Sequence, residues 1–260
     1  MARHAFLDAP TPLVFAHRGF AAGADAGLEN SMRAFEAAVR LGCRYLETDV
    51  RVSADGVALA FHDASLDRVT DRRGRVDAQS WARLRHARIG GREAIPLLTD
   101  VLATWPDVRV NLDVKSDRGI NPTIDAIRRT GALDRVCVGS FATSRIAAVR
   151  RALGPALCTS LGPRAALRLR LHGPGPRRTQ AGQCAQVPAR IGGRQFLDAR
   201  YLAAAQRLGL QVHAWTVNDP AEMTRLLDLG VDGIITDRVD LLRTLLVERG
   251  EWFGRSPTTG

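Results

Sequence analysis

Short runs rich in β-branched residues alternate along the chain with longer stretches whose apolar positions recur every three or four residues. Eight runs read as strands: "LVFAH" (13–17), "YLETDV" (45–50), "VRVNLDV" (108–114), "RVCVGSF" (135–141), "ALCTSL" (156–161), "CAQVP" (184–188), "QVHAWTV" (211–217) and "GIITD" (233–237). Between them, "SMRAFEAAVRLG", "NPTIDAIRRTG", "TSRIAAVRRALG", "PRAALRLRLHG", "DARYLAAAQRLG" and "PAEMTRLLDLG" read as amphipathic helices, each ending in a glycine suited to a helix C-terminus. Helices between most of the strands predict parallel βαβ units, and eight units in about 250 residues predict a (β/α)8 TIM-type barrel. A doubly wound open sheet is the alternative, but no GxGxxG follows any strand.

One segment departs from the repeat. "SADG" after the second strand is an Asp-Gly turn leading into "VALAFHD", which together read as a hairpin. Residues 64–98 then form a small insertion within what reads as one barrel domain over 1–260. Long insertions at the C-terminal ends of barrel strands build or cover active sites.

Composition adds constraints. The 260 residues are 45% hydrophobic with a formal net charge of +10, enough for one large core. The excess of arginine suits an anionic substrate, a nucleic acid or a membrane surface, or else scattered solvated helix faces. "PRAALRLRLHGPGPRRTQ" (163–180) reads as a solvated helix followed by a loop, and it lacks the interleaved aromatics of a nucleic-acid site. Cys43, Cys137, Cys158 and Cys184 have no CxxC or zinc-finger spacing and read as buried free thiols. The N-terminal stretch has no apolar signal core and no run is long enough for a membrane span, so a soluble, cytoplasmic protein without stable membrane insertion is expected.

Candidate chemistry sits at the strand ends. A buried parallel strand should be almost purely apolar. Yet Glu47 and Asp49 share one face of the second strand, and Asn111, Asp113 and Lys115 one face of the third. Three carboxylates brought together would take up protons unless a cation neutralised them, and Mg²⁺ or Ca²⁺ suits an all-oxygen set; ordinary ion pairs with arginine are the competing explanation. His17 and His62 each close a strand-like run, as a general acid and base would. Asp63 reads as a cap of the following turn rather than an orienter of a ring. Arg18 and Lys115 supply fixed positive charge for a phosphate.

In order along the chain, "HRG" (17–19), "ENS" (29–31), "ETD" (47–49), "FHD" (61–63), "DVK" (113–115), "WTVN" (215–218) and "GVDGIITDRVD" (230–240) resemble the glycerophosphodiester phosphodiesterase family. The resemblance implies a divalent metal at the strand ends and hydrolysis of a small anionic glycerophosphodiester to glycerol 3-phosphate and an alcohol. It implies His17 and His62 as the acid/base pair and Glu47, Asp49 and Asp113 as metal ligands. Arg18 and Lys115 would contact phosphate, and Trp215 would be an apolar wall beside the substrate, or else plain core. The chain departs from the family in carrying Asp113 where glutamate is usual, and Leu28 where proline often precedes the "EN" pair; the second change is expected to matter little. A lysophospholipase D or sphingomyelinase D activity would use the same residues but needs an apolar mouth, which the Arg- and Asp-rich insertion does not advertise. A non-catalytic phosphate-binding module would leave the histidines and carboxylates idle.

Overall fold

The computed structural model describes residues 4–174 and 182–255. Eight parallel strands run β1 (Leu13–His17), β2 (Tyr45–Val52), β3 (Arg109–Val114), β4 (Val136–Gly139), β5 (Cys158–Thr159), β6 (Cys184–Pro188), β7 (Gln211–Trp215) and β8 (Gly233–Thr236). They pair in the order β5-β4-β3-β2-β1-β8-β7-β6. A parallel bridge between Ser160 and Cys184 brings the two ends together, so the sheet closes on itself as a (β/α)8 barrel. The helices are α1 (Met32–Arg40), α2 (Leu98–Thr104), α3 (Ile120–Arg129), α4 (Thr143–Leu153), α5 (Pro163–His172), α6 (Ala199–Arg207), α7 (Pro220–Leu229) and α8 (Val239–Glu248). Several begin on the side chains the sequence offers: Ser31 caps α1, Asp198 caps α6, and Asp219 caps α7 ahead of Pro220.

Strand alternation divides the residues between two environments. Val14, Ala16, Leu46, Val50, Val110, Leu112, Val114, Val136, Val138, Ala185 and Val187 point outward and pack with the helices in the main core. The alternate positions face the barrel interior, where Leu13, Phe15, Tyr45, Cys137, Cys158, Cys184 and Ile235 form a second cluster. A short 3-10 turn, Ala5–Leu7, joins that cluster from the N-terminal end of the barrel. Phe6 stands edge-on to Tyr45 at 5.2 Å, and the Tyr45 hydroxyl donates to the Phe6 carbonyl at 2.8 Å. Gln211 Nε2 donates to the Leu7 carbonyl at 3.0 Å, so the floor of the barrel is plugged by its own leading segment.

The expected hairpin is present, with Ala58–Ala60 running antiparallel to the end of β2. The insertion is more ordered than its turn-rich sequence suggests. Phe61, Leu66, Val76, Leu84, Ala87, Ile89 and Ile95 bury a separate small core around the four-residue helix Trp81–Leu84 and a two-stranded ribbon. Leu28 is fully buried in the same cluster, its Cδ2 packed 2.6 Å from where a Cβ on Gly90 would stand. The leucine at this position therefore matters more than expected: it anchors the insertion to the loop before α1.

Candidate active site

The strand register explains why these polar residues meet. His17 pairs with Glu47 and Glu47 with Asn111, while Asp49 pairs with Asp113, so residues far apart in sequence stand in adjacent rows at the C-terminal mouth. There they line a cavity of about 680 Å³ together with Arg18, His62, Lys115 and Trp215. All eight expected site residues are brought to one opening. Trp215, whose alternatives were wall or core, lies in the wall, its ring edge-on to Phe141 at 5.7 Å.

The turn after β1 is held tightly. Arg18 adopts φ +55° and Gly19 φ +86°, a region that disfavours side chains. A Cβ on Gly19 would lie 2.6 Å from the backbone carbon of Ala34. The turn aims the Arg18 amide at Glu47 Oε2, 3.1 Å away, and its guanidinium at Glu29, 2.9 Å away, and Asp49, 3.2 Å away.

Both histidines are fixed through Nδ1 by a carboxylate. His17 Nδ1 lies 2.6 Å from Asp237 Oδ1, and His62 Nδ1 lies 2.6 Å from Asp63 Oδ1. A carboxylate accepts only, so Nδ1 carries the hydrogen and Nε2 is the nitrogen left for chemistry. Asp63 thus orients a ring and does not serve simply as the turn cap expected from sequence. Burial pushes it up, but Arg68 and His62 outweigh burial and hold it down at about 2. Asp237, to which the sequence reading assigned no role, is positioned by Asn218 Nδ2 at 2.7 Å. Burial opposes a proton on His17, but Glu47 and Asp237 together raise its proton affinity above the ordinary imidazole value.

The carboxylates are unevenly compensated. Lys115 Nζ bridges Asp49 at 2.7 Å and Asp113 at 2.6 Å. Asp49 also accepts from Asn30 Nδ2 at 3.0 Å; burial raises it, but Lys115 and Arg18 prevail and leave it lowered. Glu47 is pushed up to about 7, first by burial and then by the neighbouring Asp49. Asp113 is raised by burial despite Lys115, and its Oδ1 is buried without a hydrogen-bond partner. Two carboxylates that resist ionisation and an orphan oxygen mark a place short of positive charge, and this donor set fits a hard divalent cation. Among the described residues, though, the one group of three or more ligating side chains whose ligand atoms all lie within 4.8 Å of one another is Cys137, Cys158 and Cys184; Glu47, Asp49 and Asp113 stand farther apart than that.

Part of the remaining wall is apolar. Phe141, Leu167 and Ile191 line the cavity and are each at least half exposed, at 66%, 50% and 56%. The apolar mouth that the insertion does not provide is thus built by α5, the loop after β4 and the ribbon after β6. Helix α5 also confirms the solvated basic face, with Arg164 and Arg168 exposed; residues 175–180 of that basic stretch lie outside the described residues. No helix among the described residues is long and apolar enough to cross a membrane.

A (β/α)8 barrel whose mouth sets two carboxylate-held histidines beside Arg18 and Lys115 has the build of a barrel enzyme acting on an anionic substrate. Residues 17–241 match the glycerophosphoryl diester phosphodiesterase family. A Mycobacterium tuberculosis protein named probable glycerophosphodiester phosphodiesterase 2 is 42% identical over 255 residues, covering 96% of each chain. The fold is shared with a glycerophosphodiester phosphodiesterase from Agrobacterium tumefaciens, with a TM-score of 0.74 and 22% identity over 89% of this chain and 97% of that one. It is shared too with an Oleispira antarctica phosphodiesterase in complex with its product sn-glycerol-3-phosphate, with a TM-score of 0.76 and 22% identity over 91% and 97%. The chain belongs to the glycerophosphoryl diester phosphodiesterase family and is an enzyme of that family.

Proposed function

We propose that the chain hydrolyses glycerophosphodiesters to glycerol 3-phosphate and an alcohol, with His17 and His62 as the acid/base pair. The observation that carries this is the paired anchoring of both rings through Nδ1, which leaves two Nε2 atoms on one cavity. His17, whose proton affinity Glu47 and Asp237 raise, donates to the departing alcohol oxygen as the P–O bond breaks. His62 accepts a proton from the water that attacks phosphorus. Arg18 and Lys115 meet the phosphate oxygens, exchanging carboxylate partners for substrate, and Trp215 packs against the glycerol or the alcohol. Glu47, Asp49 and Asp113 would hold Mg²⁺ or Ca²⁺. When bound, such an ion neutralises the carboxylates and polarises a phosphoryl oxygen.

A second reading, a lysophospholipase D type activity, is favoured by the exposed Phe141, Leu167 and Ile191 at the mouth, which could receive an acyl chain linked to the same phosphodiester. Release of glycerol 3-phosphate from short head-group diesters, measured against release of choline from lysophosphatidylcholine, separates the two. In either assay His17→Ala and His62→Ala should each lower kcat by roughly 10²-fold or more with the fold retained. Near-normal turnover in either variant would remove that histidine from the mechanism.

A further inference from the structure

Below the carboxylates, the barrel interior holds a second cluster of ligating side chains that hydrolysis does not use. Cys137 of β4, Cys158 of β5 and Cys184 of β6 are fully buried, and their Sγ atoms all lie within 4.8 Å of one another. The Cys137 and Cys184 sulfurs are 3.9 Å apart. Three sulfurs around one zinc at about 2.3 Å would stand about 3.8–4.0 Å from one another, so this pair already has the separation of a shared ion. His213, 0% exposed, is a fourth group at the cluster. Its ring-nitrogen contacts to glutamine side chains are long, 3.5 Å from Nδ1 to Gln186 and 3.3 Å from Nε2 to Gln211. Barrel interiors are ordinarily filled by branched aliphatics. Here three thiols and an imidazole occupy adjoining positions on four consecutive strands.

We infer that Cys137, Cys158 and Cys184 form a site for one thiophilic cation of the Zn²⁺ class, separate from the oxygen site at the mouth. Soft thiolates and hard carboxylates select different ions, so the two sites need not compete. On binding, three S–H bonds break, three metal–sulfur bonds form and three protons leave to solvent for each ion. A divalent ion leaves the site with one net negative charge, beside the His213 ring. The position gives the ion a structural task. β5 is two residues long, and the barrel closes between β5 and β6 through the Ser160–Cys184 bridge, flanked by Leu161 N to Cys184 O at 2.8 Å and Gln183 N to Thr159 O at 2.9 Å. The cation would tie β4, β5 and β6 together at that short seam, under the cover of Phe6 and Leu7.

The full chain, refolded under reducing conditions with Zn²⁺ and then dialysed against a chelator, should retain one zinc per chain by elemental analysis and melt at a higher temperature than chain refolded without it. Refolding with Co²⁺ should give the near-ultraviolet thiolate-to-cobalt absorption. Cys158→Ser and Cys158→Ala should lose the retained ion, the absorption and the thermal gain, whereas Asp113→Asn should keep all three. Where a cysteine variant does not fold, the wild-type metal content and spectrum decide alone. Wild-type protein that retains no zinc and shows no cobalt absorption, or that carries a Cys137–Cys184 disulfide instead, overturns the inference.

Discussion

Asp237→Asn tests the acid/base assignment without touching either histidine. The substitution keeps the shape of the side chain and removes the charge that faces His17 Nδ1 at 2.6 Å. A hydrogen bond to a charged group contributes about 1.5–3 kcal/mol. The Asp237 side chain is 49% exposed, so solvent screens it and the lower end applies. About 1.4 kcal/mol is a factor of ten, so kcat/KM should fall roughly tenfold. The direction of the pH effect is also fixed. Asp237 helps raise the proton affinity of His17 above its ordinary value. Removing that charge lowers it, so His17 loses its proton at a lower pH than in the wild type. If His17 is the acid, the alkaline limb of the kcat/KM profile moves to lower pH while the acid limb stays. A coupled assay for released glycerol 3-phosphate from pH 5 to 10 reads both effects. Unchanged kcat/KM with both limbs in place would refute the pairing as a catalytic element, and a shift of the acid limb instead would make His17 the base.

Two further outcomes follow from geometry already given. Chelation should abolish turnover and Mg²⁺ or Ca²⁺ restore it better than Zn²⁺; Asp113→Asn should raise the metal concentration needed for half activity, and Asp113→Glu, which keeps the charge, should not, so identical metal titrations in all three proteins would exclude Asp113 as a ligand. Gly19→Ala combines an unfavourable φ of +86° with a backbone contact at 2.6 Å, and should destabilise the fold by about 2–5 kcal/mol in denaturant unfolding; a midpoint equal to wild type would show that the turn relaxes freely.

The eight strands and six of the helices were legible because period two and period 3.6 leave distinct marks. The ends were less so: the fifth strand reads as six residues, "ALCTSL", but pairs over two, because hydrogen bonding to β6 depends on a segment far along the chain. Helix α8 escaped delimitation since its start lies inside the motif "GVDGIITDRVD". Within the site, parity placed Glu47 with Asp49 and Asn111 with Asp113, but nothing local distinguishes Asp237 from any acidic residue after a strand. Its role arises only when β8 lies beside β1, with Thr236 opposite Ala16. The cysteines show the same limit. Burial was legible residue by residue, while their convergence rests on the register of β4, β5 and β6.

Arg68 bears on how such barrels can be recombined. It reaches from the insertion to both Glu29, at 2.6 and 3.0 Å, and Asp63, at 2.6 and 3.1 Å. One guanidinium therefore fastens the loop before α1 to the residue that orients His62. The insertion is not an interchangeable cassette: a graft that replaces residues 64–98 with a foreign loop, however well it covers the mouth, would leave Glu29 with Arg18 as its remaining partner and Asp63 less restrained. Transplanting it would require moving Leu28, Glu29 and the segment 64–98 together, as one inherited unit discontinuous in sequence.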